Sequence, residues 1–490
     1  MKPHFQLYID GEFREGASGT TWSTENPANG ESWASFACAD KSDVELAVSS
    51  ARRALHASEW RDLTATQRGK LLYRLAELVE QHAVELGKLE TFDSGKLLSE
   101  TTTQTSYVAD YYRYFAGLAD KLEGAVLPID KPDMHVYTSR EPIGVVCAVV
   151  PWNAQMFLTA TKLGPALAAG CTVVIKASEV APCPMLKFAE LIHEAGFPAG
   201  VVSVITGDVE NCAVPLTSHP DIDRIAFTGG PESARHVLRN SANSFAVTSL
   251  ELGGKSPIIV FDDADLESAV NGAIAGNFGA SGQSCVAGSR VLVSSAIKDK
   301  FIQQLVAQCQ GLRVDDPMSA DTHLGPVCTA AQVATAERTI EKSLTQGAVL
   351  HLGGERVDRP GNYFSPTVLE CSSPETESLL QEMFAPVMSV MAFDSEQDAI
   401  ELANNSEFGL GSGIFTRDLA RAHRVSGRLR SGICWINTYR AISPIAPFGG
   451  FNQSGYGREA GVESLLDYTR TRTTWINLSD QPMANPFVMR

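Results

Sequence analysis

The chain has 490 residues, 44% hydrophobic and 20% charged, which excludes a mainly disordered or fibrous protein; at roughly 100–200 residues per domain it holds two to four domains. Forty Lys and Arg against 57 Asp and Glu leave a net charge of −17, which repels phosphate backbones and excludes broad nucleic-acid binding. Ten scattered cysteines without a CxxC pair read as reduced, mostly buried thiols of a cytoplasmic protein, so neither a disulfide scaffold nor a structural metal is expected.

In chain order, the opening MKPHFQLYIDGEF carries acids where a secretion signal needs an apolar run, and Phe5–Phe13 reads as a short strand pair. Thr64 can cap a helix whose Leu71, Leu72, Leu75, Leu78 and Val79 share one face. The pattern continues through Val84 and Leu86 to a stop at Asp93-Ser94-Gly95. The polar, extended segment Gly124–Arg140 fits neither of its neighbours; it is either a hairpin arm that packs on another subunit or a surface loop. The most apolar stretch, Ile143–Ala177, is broken by Pro151, Asn153, Gln155 and Lys162, so it falls short of the ~20 apolar residues of a membrane span. From Gly144 short apolar runs alternate with amphipathic segments. Val145–Val150, Thr172–Lys176, Val201–Thr206 and Arg224–Thr228 read as parallel strands buried on both faces, with a helix over Met185–Ala195 and another starting at Pro231. A second α/β series follows: strands at Pro257–Phe261, Arg290–Val293, Thr367–Leu369, Val387–Phe393 and Gly413–Phe415, helices at Lys298–Gln310 and Ala331–Leu344. Two α/β domains therefore meet near Leu250–Ser256.

Sheets of this kind place ligands at the carboxyl ends of their strands, so the residues just after each strand are the candidates. Asn153 follows the first. Lys176 and Glu179 follow the second; they are either ribose ligands or a solvated pair at a helix start. Thr228-Gly229-Gly230 precedes a helix start, where free N–H groups favour an anion, although a glycine after a strand is often only a turn. No G-x-G-x-x-G is present. Cys285 lies among small residues that admit a substrate, and a cysteine with a pKa of ~8.5 needs help to act as a thiolate at neutral pH. Glu251, among small and apolar residues, is either a general base raised by burial or a junction residue paired with Lys255.

Together these residues resemble the aldehyde dehydrogenase family over nearly the whole chain. The family's Pro-Trp-Asn matches Pro151-Trp152-Asn153, its Lys-Pro-Ser-Glu matches 176–179 with Ala177 for Pro, and its Glu-Leu-Gly-Gly-Lys-Ser matches Glu251–Ser256 unchanged. Gly-Gln-x-Cys matches Gly282–Cys285, and Glu-x-Phe-Gly-Pro matches Glu382–Pro386 with Ala385 for Gly. Pro447-Phe448-Gly449-Gly450 and Gly457-Arg458-Glu459 match as well. The resemblance implies a Rossmann-like NAD-binding domain (1–123 and 141–251), an α/β catalytic domain (252–450), and a small β oligomerisation arm and tail (124–140 and 468–490). It implies Cys285 as nucleophile, Asn153 and the Cys285 N–H as oxyanion donors, Glu251 as the base for hydrolysis, Glu459 in proton relay and Lys162 lining the site. For the cofactor NAD it implies Lys176 and Glu179 at the adenosine ribose and Gly229 and Gly230 by the pyrophosphate. Glu382 would hold the nicotinamide ribose, Phe384 would pack beside the ring, and Trp152 and Leu252 would make backbone contacts.

The chain departs from the family in having Gly230 and Ala234 where a serine and a second glycine are common, so no side-chain hydroxyl is offered to the pyrophosphate. An often aromatic position before the nucleophile is Gly279, and Tyr439, Arg440 and Ile442 form the far wall. Arg440 is either a rim residue facing solvent or a carboxylate-attracting group that suits a semialdehyde. The partners implied are a small aldehyde and further copies of this chain, as a dimer or tetramer. Two alternatives are a coenzyme A-acylating relative, which the presence of Glu251 argues against, and an inactive binding protein of the same fold.

Overall fold

The structure, a computed structural model, describes residues 2–483 and 485–488. Residues 1, 484, 489 and 490, which belong to the expected first domain and tail, lie outside the described residues. Four sheets organise the chain. The smallest body sheet joins β1 (His4–Phe5), β4 (Thr21–Asn26) and β5 (Glu31–Ala37).

An eight-stranded sheet joins β2 (Leu7–Ile9), β3 (Glu12–Arg14), β7 (Val145–Val149), β8 (Thr172–Lys176), β9 (Val202–Ile205), β10 (Arg224–Thr228), β11 (Val247–Glu251) and β19 (Gly455–Tyr456). Its order is β19-β11-β10-β7-β8-β9-β2-β3. The five central strands are parallel, and β7, β8 and β10 are buried on both faces, which is why they read as continuous apolar runs. Their register levels the carboxyl ends: Val149 stands beside Lys176, Phe227 beside Val149, and Thr228 beside Glu251. The outer edge of β11 is closed by β19, with Glu251 opposite Gly455.

A seven-stranded sheet joins β12 (Pro257–Val260), β13 (Arg290–Ser294), β14 (Val349–Leu352), β15 (Thr367–Cys371), β16 (Val387–Phe393), β17 (Gly411–Phe415) and β18 (Ile433–Ile436). All are parallel except β14. Side chains alternate between its faces with period two. Ile259 and Leu292 enter one core, while Ile258, Val260, Val291 and Val293 enter the core on the other side.

The later part of the segment 124–140 pairs with a distant strand. β6 (Met134–Pro142) pairs antiparallel with β20 (Thr469–Asn477), from Met134 beside Asn477 to Pro142 beside Thr469. Within 124–140 the isolated antiparallel bridge Val126–Tyr137, together with the Ala125 N–H donated to Thr138 Oγ1 at 3.0 Å, turns the segment back on itself.

The helix expected from Thr64 to Gly95 is two helices. Thr64 and Gln67 form a reciprocal capping box, but the first helix, Ala65–Gln81, ends at His82, and a second, Ala83–Ser94, runs to Gly95 at φ 77°. A helix over Leu98–Leu118, unmarked by any motif, packs against both.

Candidate active site

Beyond the end of β7 the chain passes Pro151, Trp152 and Asn153 into a helix over Gln155–Ala169. Asn153 is buried, and its Nδ2 donates to the Gln283 carbonyl at 3.1 Å. One amide hydrogen is thereby anchored and the second is left over.

Cys285 follows a turn in which Ala280, Ser281 and Gly282 all have positive φ, at 54°, 54° and 78°. Local preference opposes such a run, so tertiary bonds hold it. The Ala280 N–H donates to Glu100 Oε1 at 2.9 Å, Ser281 Oγ to the Gly325 carbonyl at 2.9 Å, and the Cys328 N–H to Gln283 Oε1 at 2.7 Å. The Cys285 N–H makes no hydrogen bond among the described residues. Cys285 is half-buried and lines, with Asn153, Tyr107, Phe157, Arg440 and Phe448, a cavity of about 510 Å³. Burial pushes its thiol up to about 12, with the Glu382 and Glu251 charges adding to the shift and the Val286 N–H opposing it. At neutral pH the sulfur is a thiol whose use as a nucleophile requires a proton acceptor.

Glu251 ends β11, is 4% exposed, and has no hydrogen-bond partner on either carboxylate oxygen. Its carboxyl is held well above the usual range by burial and then by the charge of Glu459, against Lys162 and Arg458. It is not paired with Lys255. That ammonium is also without a partner, and burial, then Arg290, pushes it down to about 7. A Cβ at Gly449 would lie 2.8 Å from Glu251 Oε1, so a bare backbone forms the wall of the carboxylate.

Lys162, which the resemblance implies at the site, is not a wall residue of the cavity itself; it stands among the charges that act on Glu251. Every residue of the helix 155–169 is buried, and the ammonium turns instead to Glu459, with which it pairs, and to Thr228 Oγ1 at 2.6 Å. Thr161 Oγ1 donates to the other Glu459 oxygen at 2.6 Å. Since Thr228 is the strand neighbour of Glu251, this buried cluster stands directly behind it.

The remaining candidates lie at or just after the carboxyl ends of β7, β8, β10 and β11, or just before β16. Lys176, at the end of β8, is nearly buried and pairs with Glu179, whose side chain is a third exposed. Gly230 caps the eleven-residue helix Pro231–Ser241, while the Gly229 N–H is already donated to the Glu251 carbonyl at 3.1 Å. An anion there would meet the free N–H groups of the first helical turn. Glu382 Oε1 accepts from the Gly254 N–H at 2.9 Å; burial pushes its carboxyl up to about 7, against that bond and Lys255. A Cβ on Gly253 would enter the same carboxylate. Phe384, at φ 54°, meets the Trp152 ring edge-on with centroids 5.7 Å apart. The Leu252 N–H is taken by the Ser454 carbonyl at 3.0 Å, so only its carbonyl is left to offer a ligand.

Sequence reading missed Lys96, Glu100, Gln104 and Tyr107, which line the cavity from the helix Leu98–Leu118 and the turn before it. They carry no motif; the only local signal is an acid in a first helical turn.

The family model described as Aldehyde dehydrogenase family matches residues 13–474. The chain is 54% identical over 487 residues to the (Z)-2-((N-methylformamido)methylene)-5-hydroxybutyrolactone dehydrogenase of Acinetobacter baylyi, covering 99% of each. Among solved structures it is similar to betaine aldehyde dehydrogenase from Staphylococcus aureus in complex with NAD+, at 38% identity and a TM-score of 0.96, covering 99% of this chain and 97% of that one. The NAD+ complex of an aldehyde dehydrogenase from Bacillus cereus matches at 38% identity and a TM-score of 0.95, covering 97% of both chains.

Proposed function

Because the chain belongs to the aldehyde dehydrogenase family, we propose that it oxidises a small polar, semialdehyde-type substrate to the acid with NAD, through a thiohemiacetal and a thioester on Cys285. The observation that carries this reading is a half-buried thiol that shares a cavity with the Asn153 amide and feels the charge of Glu251, a buried carboxylate with both oxygens unpartnered.

Cys285 Sγ bonds to the aldehyde carbon, and its proton passes to a base. The former carbonyl oxygen becomes an oxyanion that accepts from Asn153 Nδ2 and the Cys285 N–H. Losing one such donor costs ~10²–10³ in rate. NAD, when bound, supplies the ring that accepts hydride. Glu251 then takes a proton from the water that attacks the thioester; the carbon–sulfur bond breaks, the thiolate leaves and the acid is released. Glu459, held by Lys162 and Thr161, is the next proton station.

The residues present fit a dinucleotide. Lys176 and Glu179 would hold the adenosine ribose, and the Glu179 carboxylate would repel a 2′-phosphate, favouring NAD over NADP. The helix start after Gly230 would hold the pyrophosphate through backbone alone, without a serine hydroxyl. Glu382, with one oxygen bound to Gly254 and one free, would hold the nicotinamide ribose beside Phe384 and Trp152.

The Acinetobacter relative acts on a 5-hydroxybutyrolactone. Such a ring is the closed form of a 4-oxo acid, which supports a substrate carrying both an aldehyde and a carboxylate. The β6–β20 ribbon supports assembly with further copies of this chain. Free cysteines throughout support a reducing, cytoplasmic location, and no helix among the described residues is long and apolar enough to cross a membrane. Cys285→Ala tests the reading: NADH formation from any aldehyde should vanish while NAD still binds by equilibrium titration. Retained turnover would overturn it.

A further inference from the structure

Arg440 is a cation in the cavity of Cys285 with no carboxylate partner among the described residues. Two departures from ordinary geometry put it there. Its own backbone is left-handed, at φ 63°, a region that residues with side chains rarely adopt. Its Nη1 donates to the Ala275 carbonyl at 3.1 Å, and a Cβ on Gly279 would collide with that same nitrogen. Gly279 itself has φ −56° and ψ 138°, which any residue adopts, so nothing in its backbone calls for glycine. The missing side chain makes room for the guanidinium. One of five N–H donors is used on Ala275, and the rest of the fork is available to an acceptor entering the cavity.

Resting on the aldehyde oxidation proposed above, we infer that Arg440, seated against Gly279, binds the carboxylate of an oxo-acid substrate in its ring-opened form. Cys285 needs a carbonyl carbon, and a hydroxylactone offers only a saturated one at the carbon to be oxidised. When the ring opens, the bond from that carbon to the ring oxygen breaks, the hydroxyl proton leaves, the aldehyde forms and a carboxylate is freed. The guanidinium takes that carboxylate, so the open form is the one held in the site.

The other charges of the cavity are accounted for. Lys96 is engaged by Glu90 at 2.7 Å and Gln104 at 3.0 Å. Glu100 accepts from the Ala280 N–H through one oxygen, and its second oxygen is buried without a partner. Glu100 is therefore the charge that opposes an incoming carboxylate and gives the test a second sign.

The test uses the full chain with NAD and two probes of equal length, 4-oxobutanoate and neutral 4-oxobutanamide. The readout is the ratio of their kcat/KM values. Arg440→Asn keeps a residue that tolerates the left-handed backbone and removes the charge. Gly279→Ala keeps the charge but displaces it. Each should lower the ratio on the order of 30-fold or more, and Glu100→Gln should raise it. A ratio unmoved in both Arg440→Asn and Gly279→Ala, or a wild type that prefers the amide, overturns the assignment while leaving aldehyde oxidation intact. No NADH from either probe, nor from unfunctionalised aldehydes, would instead sink the oxidation on which it rests.

Discussion

Burial keeps the Glu251 carboxyl neutral well above the usual carboxylate range, yet the role proposed for it as a base requires the charged form. Steady-state turnover should therefore climb as pH rises above the usual carboxylate range. Glu251→Gln should lose that dependence and run ~10²-fold slower, with the first-turnover burst of NADH preserved. Stability moves the other way. An acid bound more tightly to its proton in the folded chain than at ~4.3 in the unfolded one contributes fully below pH 4, and that contribution is lost as pH rises through the raised value. Glutamine has no such loss. Thermal melts should show Glu251→Gln gaining on the wild type as pH rises above the usual carboxylate range and not at pH 4; a gain confined to acid pH would contradict the burial argument.

At the scale of elements, the turn Ala280–Gly282 shows local strain held by its surroundings. Ala280→Gly removes a side chain from a left-handed position, worth about 0.5–1 kcal/mol of stability after the glycine's extra unfolded freedom is deducted. The same change loosens the turn that aims Cys285, so the urea midpoint should rise while kcat falls. A variant that loses stability would show that this backbone is not strained.

The same elements show what sequence can reveal. Thr172–Lys176, Arg224–Thr228 and Val387–Phe393 stand out because a parallel strand, buried on both faces, leaves a continuous apolar run bounded by turns. Position after a strand marked Asn153, small neighbours marked Cys285 and Glu251, and the family resemblance supplied the roles expected of them. The break at His82 is invisible because apolar periodicity runs through it. The pairing of Lys162 with Glu459 is hidden because no local pattern says which of a helix's buried faces meets a residue 297 positions away. The same distance hides β20 as the partner of β6, and the helix Leu98–Leu118 as a cavity wall.

For the whole molecule, the β6–β20 ribbon is the part without a core of its own. β20 is exposed along almost its entire length, with Trp475 at 56% and Ile476 at 42%. A two-stranded ribbon is marginal in water, so this one needs a covering surface. Sedimentation velocity should find the wild type as a dimer or tetramer at micromolar concentration, and Trp475→Glu should shift it to smaller species. A monomeric wild type would remove the ribbon from the assembly.

The strand that presents Glu251 has its far edge closed by Gly455 and Tyr456, some two hundred residues downstream. During synthesis on the ribosome, the first large sheet emerges with that edge bare while the whole second α/β series is still being made. A nascent chain stalled anywhere in that interval displays an unpaired strand ready to join a neighbour's, so the growing polypeptide, more than the finished enzyme, is where a chaperone would be needed.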